Sequence, residues 1–320
     1  MATDVLLVSL GATHGLREAD DQLAASLRRA GATVEIVRAA PVREWRTYAL
    51  IELAWARSAR RAAAEGNARF APGAVLYSST TAALLAPVPG AIRFDAPAAG
   101  NRPGRHGIWQ RPVERRRLAT ARLLVPWSEG ALAEVPSPHA AAVIVPVAVE
   151  PSGPLVAPAQ RDVAAITYGA NPRKKGLDRV FAAWAAQRHE REELLVAGLE
   201  GRDGNGVRYL GSLPREEYRA LLRRARVFVT APRREDHGIA QLEALADGCV
   251  LVTTPAPGPY AALPMARALD PRLTREELAV RTALDDPLPG YAERARELLA
   301  PLRSEAVDAT VRDALLPRLL

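Results

Sequence analysis

Residues 163–187 read Val163-Ala-Ala-Ile-Thr-Tyr-Gly-Ala-Asn-Pro-Arg-Lys-Lys-Gly-Leu-Asp-Arg-Val-Phe-Ala-Ala-Trp-Ala-Ala-Gln187, and three kinds of segment follow one another in them. Val163 to Tyr168 is an apolar run of strand length. Leu177, Val180, Phe181 and Trp184 fall at i, i+3, i+4 and i+7, which is one face of a helix. Between the two lies a polar loop that holds Arg173, Lys174, Lys175 and Gly176. Strand, loop, helix is the repeating unit of a parallel sheet covered on both faces.

The same alternation continues downstream. Leu194 to Ala197 and Val207 to Leu210 read as strands. Pro214 opens a helix with Glu216 and Glu217 in its first turn and Tyr218, Leu221, Leu222 and Ala225 facing inward. Val227 to Thr230 is a strand, Ile239 to Asp247 a helix stopped by Gly248, and Val250 to Thr253 another strand. From Tyr291 onward the tail is mainly helical. Upstream, residues 150–162 contain three prolines and a glycine between two apolar runs, the signature of a linker. Before them the alternation is already present. Val5 to Ser9, Val34 to Val37, Ala74 to Tyr77, Ala91 to Phe94, Leu123 to Pro126 and Val143 to Val149 read as strands. Helical patterns intervene after Leu16 and over 44–65, the latter with Trp45, Tyr48, Ile51 and Trp55 at helical spacing. The expected architecture is α/β: two doubly wound Rossmann-like domains, 1–152 and 153–300.

Composition narrows the function classes. Apolar residues make up 48% of the 320, enough for substantial cores. The single cysteine, Cys249, excludes an intramolecular disulfide and a cysteine-cluster metal site, and fits a reducing compartment. The N-terminus has no basic leader, and no apolar run reaches the ~18 residues of a membrane helix, so a cytoplasmic protein is expected.

Of the 43 basic residues only two are lysine, and these are adjacent: Lys174 and Lys175. In an arginine-rich chain the position of a retained lysine carries information, because its compact ammonium on a flexible stem suits tasks a planar guanidinium does not. Together with Arg173 the lysines put three positive charges just ahead of a helix N-terminus, a favourable site for a diphosphate. An exposed basic turn is the alternative.

A second strand, loop, helix segment runs from Thr230 to Glu243 and places Glu235 in the loop and Glu243 in the helix, with Gly238 and Ile239 at the helix start. The helix start offers amides to a phosphate, and the carboxylates can accept hydrogen bonds from sugar or ribose hydroxyls.

Taken in order, Gly-Ala-Asn-Pro-Arg-Lys-Lys-Gly (169–176), Leu-Val-Ala-Gly (195–198), Val-Arg-Tyr-Leu-Gly-Ser-Leu (207–213) and Glu235-x7-Glu243 followed by Ala-Leu-Ala-Asp-Gly-Cys-Val-Leu-Val-Thr (244–253) resemble the donor domain of the GT-B retaining glycosyltransferases of family four, the glycosyl transferases group 1. The resemblance implies two domains facing a cleft, with helices of about 300–320 returning to the first. It implies transfer of a sugar from a nucleotide-diphosphate sugar to a hydroxyl acceptor with retention, without metal or cofactor. Carried over residue by residue, Lys175 contacts the donor diphosphate with Arg173 as helper, and Glu235 contacts the transferred sugar. The amides of Gly238 and Ile239 bind phosphate, Glu243 holds the ribose hydroxyls, and the loop near Leu213 faces the base.

The chain departs from the family at Ala170, where an arginine is common. It also lacks the histidine often found after a middle strand. Asp95 occupies that region and is a catalytic candidate by position. Gly15, with Thr13 and His14, stands where a glycine loop approaches the donor.

Seven arginines between 102 and 122 face only Glu114. A solvated face is the ordinary reading. A site for an anionic acceptor or an acidic membrane surface is the functional one, each arginine adding on the order of 1 kcal/mol at such a surface. Nucleic acid is not expected, since the charge is local and no recognition motif accompanies it. A catalytically degenerate nucleotide-binding subunit and a sugar-nucleotide epimerase or hydrolase are the rival functions.

Overall fold

The computed structural model describes residues 3–43, 47–102 and 104–320. Trp45 therefore lies outside the described residues, as do the side chains of His14 and Tyr48. The chain forms two compact units, one of residues 1–148 and 304–320, the other of 149–303.

The first unit holds a parallel sheet of β1 (Val5–Ser9), β2 (Val34–Arg38), β3 (Ala74–Tyr77), β4 (Ala91–Phe94) and β5 (Leu124–Pro126) in the order β2-β1-β3-β4-β5. Both faces are covered, as near-continuous apolar strands require. Val5 and Leu7 point to one core, shared with Leu23 and Leu27 of the helix His14–Arg29 and with Val307, Val311, Leu315 and Leu319 from the chain's last segment. Leu6 and Val8 point to the other, against Ala59 and Ala63 of the helix Tyr48–Phe70.

The second sheet consists of β6 (Val163–Tyr168), β7 (Leu194–Ala197), β8 (Val207–Gly211), β9 (Ala225–Thr230) and β10 (Val250–Thr253) in the order β10-β9-β6-β7-β8, again wholly parallel. Its core gathers Ile166, Val196, Phe228 and Leu251 from the strands with Trp184, Leu222 and Leu245 from the helices.

Two expectations need correction, and one helix went unread. Val143 to Val149 is extended and buries alternate valines, but it joins β5 only through a single bridge at Ala142 and the amides of Val143 and Val145. Pro146, which has no N–H, cannot extend a ladder. Ala225 belongs to β9 rather than to the preceding helix, which ends at Arg224. The helix Gln110–Thr120 has no apolar stripe, because the residues it buries are Gln110, Glu114 and Leu118. Hydrophobic periodicity is blind to such a face.

Strand order fixes where ligands can bind. In a doubly wound sheet the loops leaving two adjacent strands diverge to opposite faces where the order reverses, and a crevice opens at their carboxyl ends. In the second unit that switch lies between β6 and β9, so the loops 169–176 and 231–238 flank it. In the first it lies between β1 and β3.

Candidate functional site

The loop after β6 folds into a tight turn. Asn171 Oδ1 accepts from the Lys174 amide at 3.0 Å, and its carbonyl accepts from the Lys175 amide at 2.9 Å. Gly176 ends the turn at φ +62° as the N-cap of the helix Leu177–Gln187. A Cβ at this position would collide with the Ala231 carbonyl oxygen, so only glycine lets this loop close onto the end of β9. The two loops then run together. The Arg233 amide donates to the Lys174 carbonyl at 2.9 Å, and the Arg233 guanidinium grips Asp178 at 2.7 and 2.9 Å.

This seam aligns the charges that the sequence had sixty residues apart. Lys175 Nζ donates to Glu235 Oε2 at 2.6 Å, and Lys174 Nζ to Asp236 Oδ2 at 2.6 Å. Glu235 is buried, and its Oε2 also accepts from Gln241 Nε2 at 2.8 Å. Its other oxygen, Oε1, has no partner among the described residues. Arg173 is exposed at the mouth of the turn.

Glu243 is arranged in a parallel way. Its Oε1 accepts from Arg215 Nη2 at 2.8 Å and Arg219 Nη1 at 3.3 Å, while its Oε2 has no partner among the described residues. Burial raises its pKa against the opposing pull of Arg219 and Arg215. Arg219 is itself fixed by Asp247 at 2.6 Å and the Glu150 carbonyl at 2.7 Å. Each glutamate thus has one anchored oxygen and one available to accept a hydroxyl.

Between them, the helix Ile239–Ala246 begins at Gly238 (φ +88°), with no side-chain cap. The amides of Gly238 and Ile239 donate to no acceptor among the described residues. They carry the partial positive charge of a helix start.

Sequence reasoning missed Arg215, Arg219 and Gln241. The arginines were visible at i, i+4 on one helix, but the adjacent Tyr218 and Leu222 drew the reading to an apolar face. Gln241 left no signal beyond its place in the loop–helix motif.

Of the remaining candidates, Leu213 belongs to the second unit and Asp95 and Gly15 to the first. Leu213, between β8 and the helix Arg215–Arg224, is half-buried against the core. Asp95 follows β4, away from its own unit's switch point, and its Oδ1 accepts from the Ala96 amide at 2.9 Å. Gly15 is exposed in the first turn of its helix, and a Cβ there would meet nothing within 4 Å.

Residues 157–263 match the family model described as glycosyl transferases group 1. The match spans about a third of the chain and lies within the second unit. No curated protein sequence matches the chain. Its fold is the GT-B fold of solved glycosyltransferases. Sucrose-phosphate synthase from Thermosynechococcus elongatus is similar at 16% identity, with a TM-score of 0.67 and 96% of each chain covered. WaaG, a glycosyltransferase involved in lipopolysaccharide biosynthesis, is similar at 14% identity and a TM-score of 0.68, covering 95% of this chain and 98% of its own. Trehalose-6-phosphate from E. coli bound with UDP-2-fluoro glucose is similar at 13% identity and a TM-score of 0.65, with 98% of this chain and 99% of its own covered.

The arginine-rich stretch at 102–122 divides by role. Arg102 bonds Glu52 at 2.6 Å, Arg111 the Arg102 carbonyl, and Arg117 the carbonyls of Leu84 and Ala86. Arg105, Arg115, Arg116 and Arg122 are exposed. Among the described residues no helix is long and apolar enough to cross a membrane.

Proposed function

We propose that the chain transfers a sugar from a nucleotide-diphosphate sugar to a hydroxyl acceptor with retention of configuration. The observation that carries this reading is the meeting of the lysine loop and the Glu235-x7-Glu243 segment at the β6/β9 switch, with an uncapped helix start between the two carboxylates. Lys175, Arg173 and the amides of Gly238 and Ile239 hold the diphosphate and stabilise the charge that develops as it departs. Preorganised donors suffice for this, so the reaction calls on no metal or cofactor. Glu235 Oε1 accepts a hydroxyl of the transferred sugar, Glu243 Oε2 a ribose hydroxyl, and the loop at Leu213 faces the base. From the first unit, Gly15 approaches the phosphates and Asp95 serves at the reacting sugar.

Thermal shift with UDP, GDP and ADP tests the donor site. At least one should stabilise the protein, by about 2.7 kcal/mol at a hundredfold excess over Kd. Lys175→Ala should abolish that shift and Lys174→Ala, whose partner is Asp236, should retain most of it. No shift with any nucleotide sinks the reading.

On the acceptor side we extend the proposal to an anionic membrane surface, reached from the cytoplasm. Leu50 and Ile108 are 47% and 65% exposed, and the Trp109 Nε1 bond to the Ala49 carbonyl at 3.2 Å brings their segments together. Exposed Arg105, Arg115 and Arg116 flank them, while the nearby acids Glu52 and Glu114 are buried. Protruding apolar side chains among cations match the interface of an acidic bilayer.

A further inference from the structure

We infer that Gln241 is a positioning residue that holds Glu235 in place once the donor has drawn Lys175 away. The inference rests on the donor-site reading above. Gln241 is 1% exposed, on the first turn of the helix Ile239–Ala246, and it spends its amide N–H on Glu235 Oε2 at 2.8 Å. Lys175 Nζ occupies the same oxygen at 2.6 Å.

The two donors differ in what else can claim them. The ammonium is mobile and charged, and an arriving diphosphate competes for it with two or more formal negative charges. The carboxamide is neutral, locked in the interior and indifferent to the phosphate. When Lys175 turns to the diphosphate, Glu235 would lose the one cation that bonds it among the described residues and be free to change rotamer. The Gln241 N–H remains on Oε2, so Oε1 stays aimed where a sugar hydroxyl can donate to it.

A buried side chain at this helix position could be leucine or methionine on packing grounds alone. A buried carboxamide requires polar partners, and its N–H has one in Glu235. The backbone around Glu235 is already fixed from the other side. Its amide donates to the Pro257 carbonyl at 3.1 Å, and its carbonyl accepts from the Tyr260 amide at 3.3 Å. Only the side-chain torsions are left to control, and Gln241 controls them.

The test uses the full chain with whichever of UDP, GDP and ADP binds it and the matching glucose nucleotide. Calorimetric titration gives the affinity of each, and turnover is followed as sugar release. In Gln241→Leu and the volume-matched Gln241→Met, diphosphate affinity should stay within about twofold of wild type. The affinity advantage of the sugar nucleotide over the bare diphosphate should fall about tenfold, with kcat falling more than KM rises. In the Glu235→Gln background the same substitutions should have almost no further effect, because the group they position is gone. An undiminished sugar increment in both variants overturns the inference. So does a proportional loss of diphosphate affinity, which would mean that Gln241 only holds the loop together. A wild-type protein that binds none of the diphosphates overturns the donor-site reading instead, and this inference with it.

Discussion

Both units have a five-stranded parallel sheet with a switch point, and they differ in how the helices leaving the switch strands are capped. In the first unit both of these helices carry a hydroxyl cap. Thr13 Oγ1 accepts from the Leu16 amide at 3.3 Å after β1, and Ser79 Oγ accepts from the Ala82 amide at 3.1 Å after β3. In the second unit the corresponding N-caps are Gly176 and Gly238, which have no side chain to give. A hydroxyl cap satisfies a helix start internally, and a glycine leaves that task to the backbone or to a bound anion.

Buried charge follows the same division. The first unit pairs its charges inward. Asp20 is set between Ser9 at 2.6 Å and Arg93 at 3.6 Å, and Arg93 lies over Trp127. The second anchors one oxygen of each glutamate and leaves the other available. The same architecture thus treats buried charge differently according to a few residues at the strand ends.

The sharpest way to break this contrast is to give each unit's glycine a methyl group. Gly176→Ala combines a left-handed φ with a collision at the Ala231 carbonyl. It should cost about 3 kcal/mol or more of stability and lower nucleotide affinity at least fiftyfold, measured by denaturant titration and calorimetry. Gly15→Ala meets open space within a helix and should stabilise by about 0.5–1 kcal/mol. If Gly15→Ala also leaves turnover unchanged, the proposed approach of Gly15 to the donor phosphates is wrong. Equal tolerance of both substitutions would erase the contrast.

A smaller effect should separate the units by pH. Burial pushes Glu114 up to about 7, against the bond from the Ala98 amide at 2.7 Å. Its folded pKa lies above its unfolded one, so the folded state keeps a proton that the unfolded state releases between about 4.5 and 7. The first unit's stability should fall as pH rises through that window. Glu114→Gln keeps the carbonyl acceptor and removes the titration, and above pH 7 it should gain up to about 3 kcal/mol over wild type. Parallel pH–stability curves for the two proteins would contradict this.

The smallest stability effect belongs to the exposed arginines. Replacing Arg105, Arg115 and Arg116 with serine should change stability by less than about 0.5 kcal/mol each. Flotation with vesicles of 30% phosphatidylserine should nevertheless drop severalfold, and Ile108→Ser should add to the loss. Unchanged flotation would remove the membrane from the proposal.

The donor half was legible because its signals are local. Apolar strand runs, a helix-spaced face at Leu177 to Trp184, and two lysines in an arginine-rich chain are all short-range facts. Their convergence was not, since Lys175 meets Glu235 only through the β6–β9 pairing, which no short window of sequence encodes. Arg215, Arg219 and Gln241 act on the glutamates from within helices otherwise read for their apolar residues. The first unit hid more, because several of its helices are too short or too polar to show a period. Ala98–Asn101 spans a single turn, and Gln110–Thr120 packs a glutamine and a glutamate inward.

The division of the chain has a consequence for its synthesis. Residues 149–303 are contiguous, so the second unit is fully present as soon as it clears the ribosome. The first unit begins earlier and must wait longer. Its core lacks Val307, Val311, Leu315 and Leu319 until the final segment is made. Until that segment is made, the apolar residues that it covers in the first unit's core have no partner from it. The first unit, split around the second, is therefore completed after it.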